Sequence, residues 1–568
     1  MRRAPAGLRR TVATSSVAAL ICVTALATSC GQANPGFEPP SGALAFPSGL
    51  LLDPRVSSEP TEPCDDSGAC SSEGDICTSV GQCRTPASWL LVTNANSDRR
   101  YNAGSLVAVN LDLFWDAVSS TEILSQAADI QAAYDEAGGS QQYDDADDPA
   151  YRPGKFVPCR RVANLPQVIE CLEEPFILDR ATIQFGNFPG PAVAWDMGNP
   201  GGDESMLLIP VRGDPSITYA ELSGSTTGYD LEIECGQASD ERGSRRCDDD
   251  HRLRFLRNDP DAARLAREPF RVLVSPQAEQ PLAYVSHQGD ADLTLLALNG
   301  LVVGGDGRPA IVHQPNLLAI PNVSFGFQGG FGLAERPGTV VGGSDECDVQ
   351  DPGPLVYAGM RWDAEVRVVR ALTHKPLCGS DQTCVGPDNL GVDGGIVCEP
   401  QLEPVSDFDV GGLPQVLVPA VARPILADMA FSRSGDELYV VESNPGALLR
   451  VDTSLGVDGE PLDVPAGLVE ICAQPTSFVI YDDGTVEYGL VTCFRSGEVF
   501  IVDLASLTVV GLSRAGIGPD AMTVDLAREV VYVANSLDAT ISVISMDASD
   551  PARFTQVARI GLQEPYVQ

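Results

Sequence analysis

Seven polar side chains stand at or just past the ends of short apolar runs: Asn94, Arg212, His287, Arg361, Glu442, Arg495 and Asn535. Three are arginines, and a guanidinium offers a planar fork of donors that can hold a carboxylate or phosphate through paired hydrogen bonds. Anion recognition is therefore the chemistry they suggest if the fold gathers them; as separate turn residues they would only be solvated. Catalytic signatures are missing: the chain has no G-x-S-x-G elbow, no glycine-rich phosphate loop and no H-E-x-x-H. Nothing sets any of the four histidines (His251, His287, His313, His374) beside a serine, and His287 reads as a polar turn residue. Arg212-Gly213-Asp214 spells an adhesion tripeptide, yet Gly and Asp belong in a hairpin turn for backbone reasons. The acidic stretches Asp144-Asp145-Ala146-Asp147-Asp148, Asp248-Asp249-Asp250 and Asp407-Phe408-Asp409 raise the question of bound calcium, although none follows an EF-hand loop.

Sixteen cysteines offer a second kind of chemistry. Setting aside Cys22 and Cys30, the remainder is even in number and suits an oxidising compartment. Cys64, Cys70, Cys77 and Cys83 lie among Asp, Ser and Gly, with too little apolar material for a core, so disulfides are expected to hold that segment together. Cys159 with Cys171, Cys235 with Cys247, and Cys472 with Cys493 are local pairs, leaving Cys347, Cys378, Cys384 and Cys398 to pair among themselves. Zinc is the competing reading, but no C-x-x-C occurs and histidines are scarce.

Composition removes other functions. Seventy-eight acidic against 37 basic side chains give a net charge of −41 over 568 residues. Such a chain is repelled by nucleic acid and by anionic headgroups, whose binding needs Lys and Arg to neutralise phosphates. At 43% hydrophobic residues it can still build a large core.

Residues 1–29 carry Arg2, Arg3, Arg9 and Arg10 and then an apolar stretch from Val17 to Ala27, the layout of a secretory leader. Leu26-Ala27-Thr28-Ser29-Cys30-Gly31 is similar to a bacterial lipobox, in which Cys30 would be acylated; cleavage after Ala25 and Ala27 would instead release a soluble protein. Arg9-Arg10 also has the look of a twin-arginine signal. Residues 30–44 form a Pro- and Gly-rich tether, and no other window is apolar enough to span a bilayer, so membrane attachment would be through the lipid anchor alone. An outer-membrane lipoprotein or periplasmic location is expected.

The elements that must position these groups are hairpins. Tyr532-Val533-Ala534-Asn535 and Thr540-Ile541-Ser542-Val543-Ile544 alternate apolar and polar residues around a polar turn. The pair resembles the YVTN-type β-propeller repeat. Similar pairs begin at Leu490, Leu438, Leu355, Ala283, Leu207 and Leu90. Most hairpins follow a Pro and an apolar run, as in Pro519-Asp520-Ala521-Met522, which suits an innermost strand packed on both faces. The resemblance implies an all-β, seven-bladed β-propeller with disulfide-rich loop insertions, spanning 45–562 with insertions at about 55–86, 112–160, 235–268 and 343–400 and a tail at 563–568. The rival is a pair of open β-sandwiches. Short helices are expected at 121–134 and after Asp259-Pro260.

In such a repeat the seven polar residues surround the mouth of one face, the candidate ligand face. No catalytic residue is assigned. The first functional expectation is a lipid-anchored, non-enzymatic cell-envelope protein that binds a partner protein or polymer through that face; the alternative is a periplasmic propeller enzyme, a lactonase-like hydrolase or a redox cofactor protein. The fold supports either.

Overall fold

The computed structural model describes residues 37–563 except 66, 73, 120–157, 197–201, 228–229, 237–244, 255–263, 276–281, 290–291, 304–308, 320–328, 339–350, 362–364, 374–389, 393–394, 398–400, 411–424 and 458. The leader, Cys30, the helix expected at 121–134, the acidic stretch at 144–148, and Cys347, Cys378, Cys384 and Cys398 lie outside the described residues, as does the start of the helix expected after Asp259-Pro260, whose described continuation at 264–268 is not helical.

The chain is nearly all β, and its main sheets share one plan: consecutive antiparallel strands, each hydrogen-bonded to the next. The first sheet joins Pro47–Leu52, Trp89–Asn94, Gly104–Asn110 and Ile183–Phe185. The second runs through Val193–Trp195, Ser205–Val211, Ser216–Gly224 and Leu231–Glu234, and the third through Pro269–Val274, Leu282–His287, Asp292–Val303 and Pro309–Ala319. Gly330–Glu335, Asp351–Met360, Glu365–Thr373 and Gln401–Asp409 make the fourth; Leu426–Phe431, Glu437–Ser443, Gly446–Asp452 and Val464–Glu470 the fifth. The sixth has Pro475–Asp482, Glu487–Cys493, Glu498–Asp503 and Thr508–Arg514, and the seventh Pro519–Asp525, Val530–Asn535, Thr540–Ser545 and Gln556–Ile560. Neighbouring sheets from the second onward meet through their first strands, and the first strand of the seventh sheet packs on that of the first. Between the first and second sheets the approach is so close that a Cβ on Gly49 would stand 2.6 Å from the Cα of Pro191. This radial arrangement is that of a β-propeller.

Burial follows strand rank. The second strands Trp89–Asn94, Ser205–Val211, Leu282–His287 and Val530–Asn535 are buried along their whole length, which is why they read as nearly continuous apolar runs. Outer strands such as Val464–Glu470 expose alternate residues. The innermost strands depart from expectation: Pro519–Asp525 and Pro269–Val274 are only half-buried, because one side of each faces the axis rather than another sheet. A register shift also recurs near their starts, at Pro47/Gly49, Pro269/Arg271, Gly330/Leu333, Leu426/Asp428, Pro475/Phe478 and Pro519/Ala521. Such a bulge re-aims the extra side chain, here at the rim of the axis.

Insertions seal the junction between the last sheet and the first. The hairpin Cys159–Val162 and Leu165–Cys171, tied by the Cys159–Cys171 disulfide, leaves the first sheet and adds in parallel to Gln556–Ile560 of the seventh. Arg559 reaches Glu170 at 3.5 Å, and Arg160 holds the other Glu170 oxygen at 2.8 Å. The helix Leu111–Ser119, started by Asn110 Oδ1 accepting the Leu113 N–H, drives Leu113, Phe114 and Ala117 into a core shared with Val530, Tyr532, Ile541 and Ile560. Trp115 Nε1 donates to the Tyr532 hydroxyl at 2.8 Å, and Arg528 spans Asp112 and the Ala87 carbonyl. The cysteine-rich insertion is a small sheet held by Cys64–Cys77 and Cys70–Cys83, and its Ser79 N–H donates to Glu529 of the seventh sheet. Among the described residues, Cys64, Cys70 and Cys83 also cluster closely enough to suggest a metal, but their sulfurs are spent in disulfides. Cys235–Cys247 and Cys472–Cys493 are bonded as the sequence suggested.

Removing the Cys159–Cys171 crosslink by a double Cys→Ser change is expected to cost about 2–3 kcal/mol, from the loop-closure entropy of its 12-residue separation. The check is a lowered midpoint in urea denaturation; an unchanged midpoint would mean that the hairpin does not secure the junction.

Candidate functional site

The seven polar residues picked from the sequence do lie at one end of the second strands, but they fall into two groups. Asn94, His287, Glu442 and Asn535 occupy equivalent register positions, opposite Pro47, Pro269, Leu426 and Pro519. All four are buried rather than exposed on the face. Asn94 Oδ1 accepts the Ala45 N–H and Asn535 Oδ1 accepts the Gly516 N–H, each pinning the segment that leads into a first strand. His287 is no exposed turn residue: both faces of its strand are covered, and Nε2 meets Thr294 Oγ1 at 2.8 Å. The three arginines stand one or two residues further on, past Val211, Met360 and Cys493, where the chain has emerged from the sheets.

Arg212 lies across the Phe188 and Phe270 rings, with Nη1 donating to Gln288 Oε1 at 3.0 Å. Burial lowers its pKa, opposed by the negative charges of Asp520 and Glu268. Arg361 is lowered too, by burial and by the like charge of Arg212, so the two guanidiniums share one electrostatic neighbourhood. Arg495 is exposed and stands apart from Arg212; it lines, with Arg361, a cleft of about 780 Å³ beside the fifth sheet.

Three charged residues at the centre of this neighbourhood escaped the sequence reading. Arg271 of the third sheet donates to Asp428 of the fifth at 2.8 Å, bridging across the fourth. Asp428 is buried and also accepts the N–H groups of Phe478 and Met429. Desolvation raises its pKa, partly offset by Arg271. Asp520 of the seventh sheet is raised by desolvation and by the charge of Asp428, against the pull of Arg212 and Arg271 and a hydrogen bond with Ser536. All three sit in the first few residues of a first strand, around its bulge, and a charge inside an otherwise apolar run was the available signal. The assembly is a partly desolvated mouth in which carboxylates from two sheets face guanidiniums from two others. It can polarise a carbonyl, bind an anion or move a proton.

Elsewhere, three of the candidate calcium carboxylates already have side-chain partners within the chain. Asp248 Oδ1 meets His251 Nδ1 at 2.8 Å, Asp249 pairs with Arg254 at 2.7 Å, and Asp407 with Arg367 at 3.4 Å. Asp214 of the adhesion-like tripeptide is paired with Arg252, and its Gly213 N–H donates to the Asn187 carbonyl.

No protein-family model and no curated protein matches this chain. Among solved structures it is similar to a periplasmic gluconolactonase, PpgL, of Pseudomonas aeruginosa, with 12% identity over 83% of this chain and 97% of that one and a TM-score of 0.38. It is similar also to a putative 6-phosphogluconolactonase of Bacteroides uniformis (12% identity, 64% and 85% covered, TM-score 0.36) and to Sqt1 of Saccharomyces cerevisiae (8%, 66% and 74%, 0.37). The first functional expectation, a non-enzymatic binding protein, is corrected here: two of these structures are titled as lactonases, the class its alternative named. At such identities the likeness concerns fold alone, so any chemistry must come from this chain's own groups.

Glu442 generates a pH test. Its two carboxylate oxygens are buried and find no hydrogen-bond partner among the described residues, and desolvation, with Asp409 nearby, pushes its pKa up to about 8. A raised acid keeps its proton in the folded state while the unfolded chain gives it up, so stability falls as pH rises from about 4.5 to about 8. Glu442→Gln removes that titration. Urea melts of the variant and the parent should agree near pH 4.5, the variant gaining at least about 1 kcal/mol by pH 8.5; a constant difference would contradict the burial of an ionisable Glu442.

Proposed function

We propose that this protein is an exported β-propeller hydrolase of the lactonase type, built on seven YVTN-type blades and acting at the axial mouth between Arg212 and Asp520. The observation that carries the reading is the raised Asp520 carboxylate with two guanidiniums in its field. Two further features support it: the sheets ordered around an axis, and five disulfides among the described residues, which suit an oxidising compartment. The Cys30 anchor and an outer-envelope location belong to the same reading.

The groups fit water attack on a cyclic ester. Asp520 takes a proton from water as the water oxygen adds to the carbonyl carbon. Arg212, poorly solvated and therefore a strong electrostatic partner, donates to the carbonyl oxygen as it becomes an oxyanion. Collapse breaks the ring C–O bond, the proton passes to the released alkoxide, and a hydroxy acid leaves. Asp428, fixed by Arg271 and two backbone N–H groups, raises the basicity of Asp520 through its negative charge. A cyclic ester suits this set because its leaving oxygen stays tethered. The one histidine on the ligand-face strands, His287, is buried against Thr294 and out of reach as an acid.

Proton release from glucono-δ-lactone tests the reading. The purified chain should exceed spontaneous hydrolysis, Asp520→Asn should lower kcat by about 100-fold or more, and Arg212→Gln by a similar factor with a smaller change in KM. Since the Asp520 pKa is raised, the rate should fall as pH drops through a value above the ordinary carboxylate range. Hydrolysis no faster than the uncatalysed rate across a panel of five- and six-membered lactones would overturn it.

A further inference from the structure

The cleft shared by Arg361 and Arg495 is a second site. It opens between the fourth, fifth and sixth sheets on the same face as the axial mouth, and its volume of about 780 Å³ falls within the range of small-molecule sites. Its two guanidiniums come from non-adjacent sheets, one past Met360 and the other past Cys493, and the Cys472–Cys493 disulfide fixes the wall that carries Arg495. Glu470 is the only carboxylate among the described lining residues, beside two guanidiniums. In a chain of net charge −41, two guanidiniums lining one concavity are an unusual concentration of basic groups.

The remaining lining narrows the ligand. Phe494 and Pro475 offer flat apolar surface, while the Asn444 and Gln474 side chains bring amide donors and acceptors. Flat apolar surface meets the C–H face of a pyranose ring, amides pair with its hydroxyls in both directions, and a guanidinium takes a carboxylate by two parallel bonds. We infer that this cleft binds a carboxylate-bearing sugar, a uronic acid of one or two rings, with the acid groups on Arg361 and Arg495. Binding there goes beyond the hydrolase reading and does not depend on it, because neither arginine is assigned a part in bond breaking.

Calorimetric titration with digalacturonate tests this, using the parent and the Asp520→Asn variant so that turnover plays no part. Saturable binding equal in both is expected, at least tenfold weaker for the neutral dimethyl ester and tenfold or more weaker in Arg361→Gln and in Arg495→Gln. Thermal melts of the two variants guard against loss of fold, and Arg495→Lys should recover part of the affinity if charge is what matters. No binding by the parent at millimolar ligand, equal binding of acid and ester, or unchanged affinity in the Arg361→Gln/Arg495→Gln double variant would each overturn the inference. Inorganic phosphate binding as tightly as digalacturonate would also overturn it, by showing an anion site without sugar recognition.

Discussion

The packing of the seventh sheet on the first is the contact on which everything else depends. A ring of sheets that each touch only their neighbours has no single core: every junction buries its own apolar cluster, and one open junction would leave two sheet faces in water. The remaining junctions join sheets consecutive in the chain, so they form at low entropic cost. This one joins the two ends. Three inserted pieces gather here: a helix that contributes Phe114 to the shared core, a disulfide-held hairpin that extends the last sheet, and a cysteine-rich module that reaches Glu529. Among the described strands, each main sheet has four antiparallel strands in chain order, with insertions between some of them, and closure is achieved by the added hairpin Cys159–Val162 and Leu165–Cys171 on the seventh sheet.

Closure in turn fixes the axis. Once the first strands are drawn together, the bulges near their starts confront one another, and any charge placed there meets charges from sheets two or three positions away. The Arg271–Asp428 pair is the clearest case: Arg271 and Asp428 are 157 residues apart in sequence and held at 2.8 Å, with Asp428 excluded from water. Pairs of this kind are costly to desolvate and give little net stability. Their presence at the axis, where Ser, Thr or an apolar residue occupies the corresponding bulge of other sheets, is what marks the mouth as a place for chemistry rather than packing.

Much of this was legible in the residues. The hairpins and the local cysteine pairs follow from alternation and spacing, and the end of the sheets at which Asn94, Arg212 and Asn535 lie follows from the repeat they resemble. What was not legible depends on distance across the ring. Asp520 and Asp428 look like ordinary polar interruptions until the axis brings Arg212 and Arg271 to them. His287 and Glu442 resemble turn residues because strand ends and turns share polar composition; their burial reflects coverage by the next sheet, which no local pattern records. The innermost strands misled for the opposite reason: an apolar run says that a strand is inside but not that one of its sides borders an axis. The helix Leu111–Ser119 was hidden behind a strand that runs directly into it, with Asn110 serving both as the last strand residue and as the cap.

The parallel pairing of Leu165–Cys171 with Gln556–Ile560 also bears on how the chain must come together in time. Arg559 and Glu170 are 389 residues apart, and a flexible segment of that length pays about 5 kcal/mol to bring its ends together. A chain that crosses a membrane from its N-terminus would present the receiving hairpin, already crosslinked by its own disulfide, long before its last strand arrives. Until then that hairpin offers an unpaired edge to whatever else is nearby. In a chain so exported, arrival of Gln556–Ile560 would cover that edge and end its exposure to misdirected strand addition.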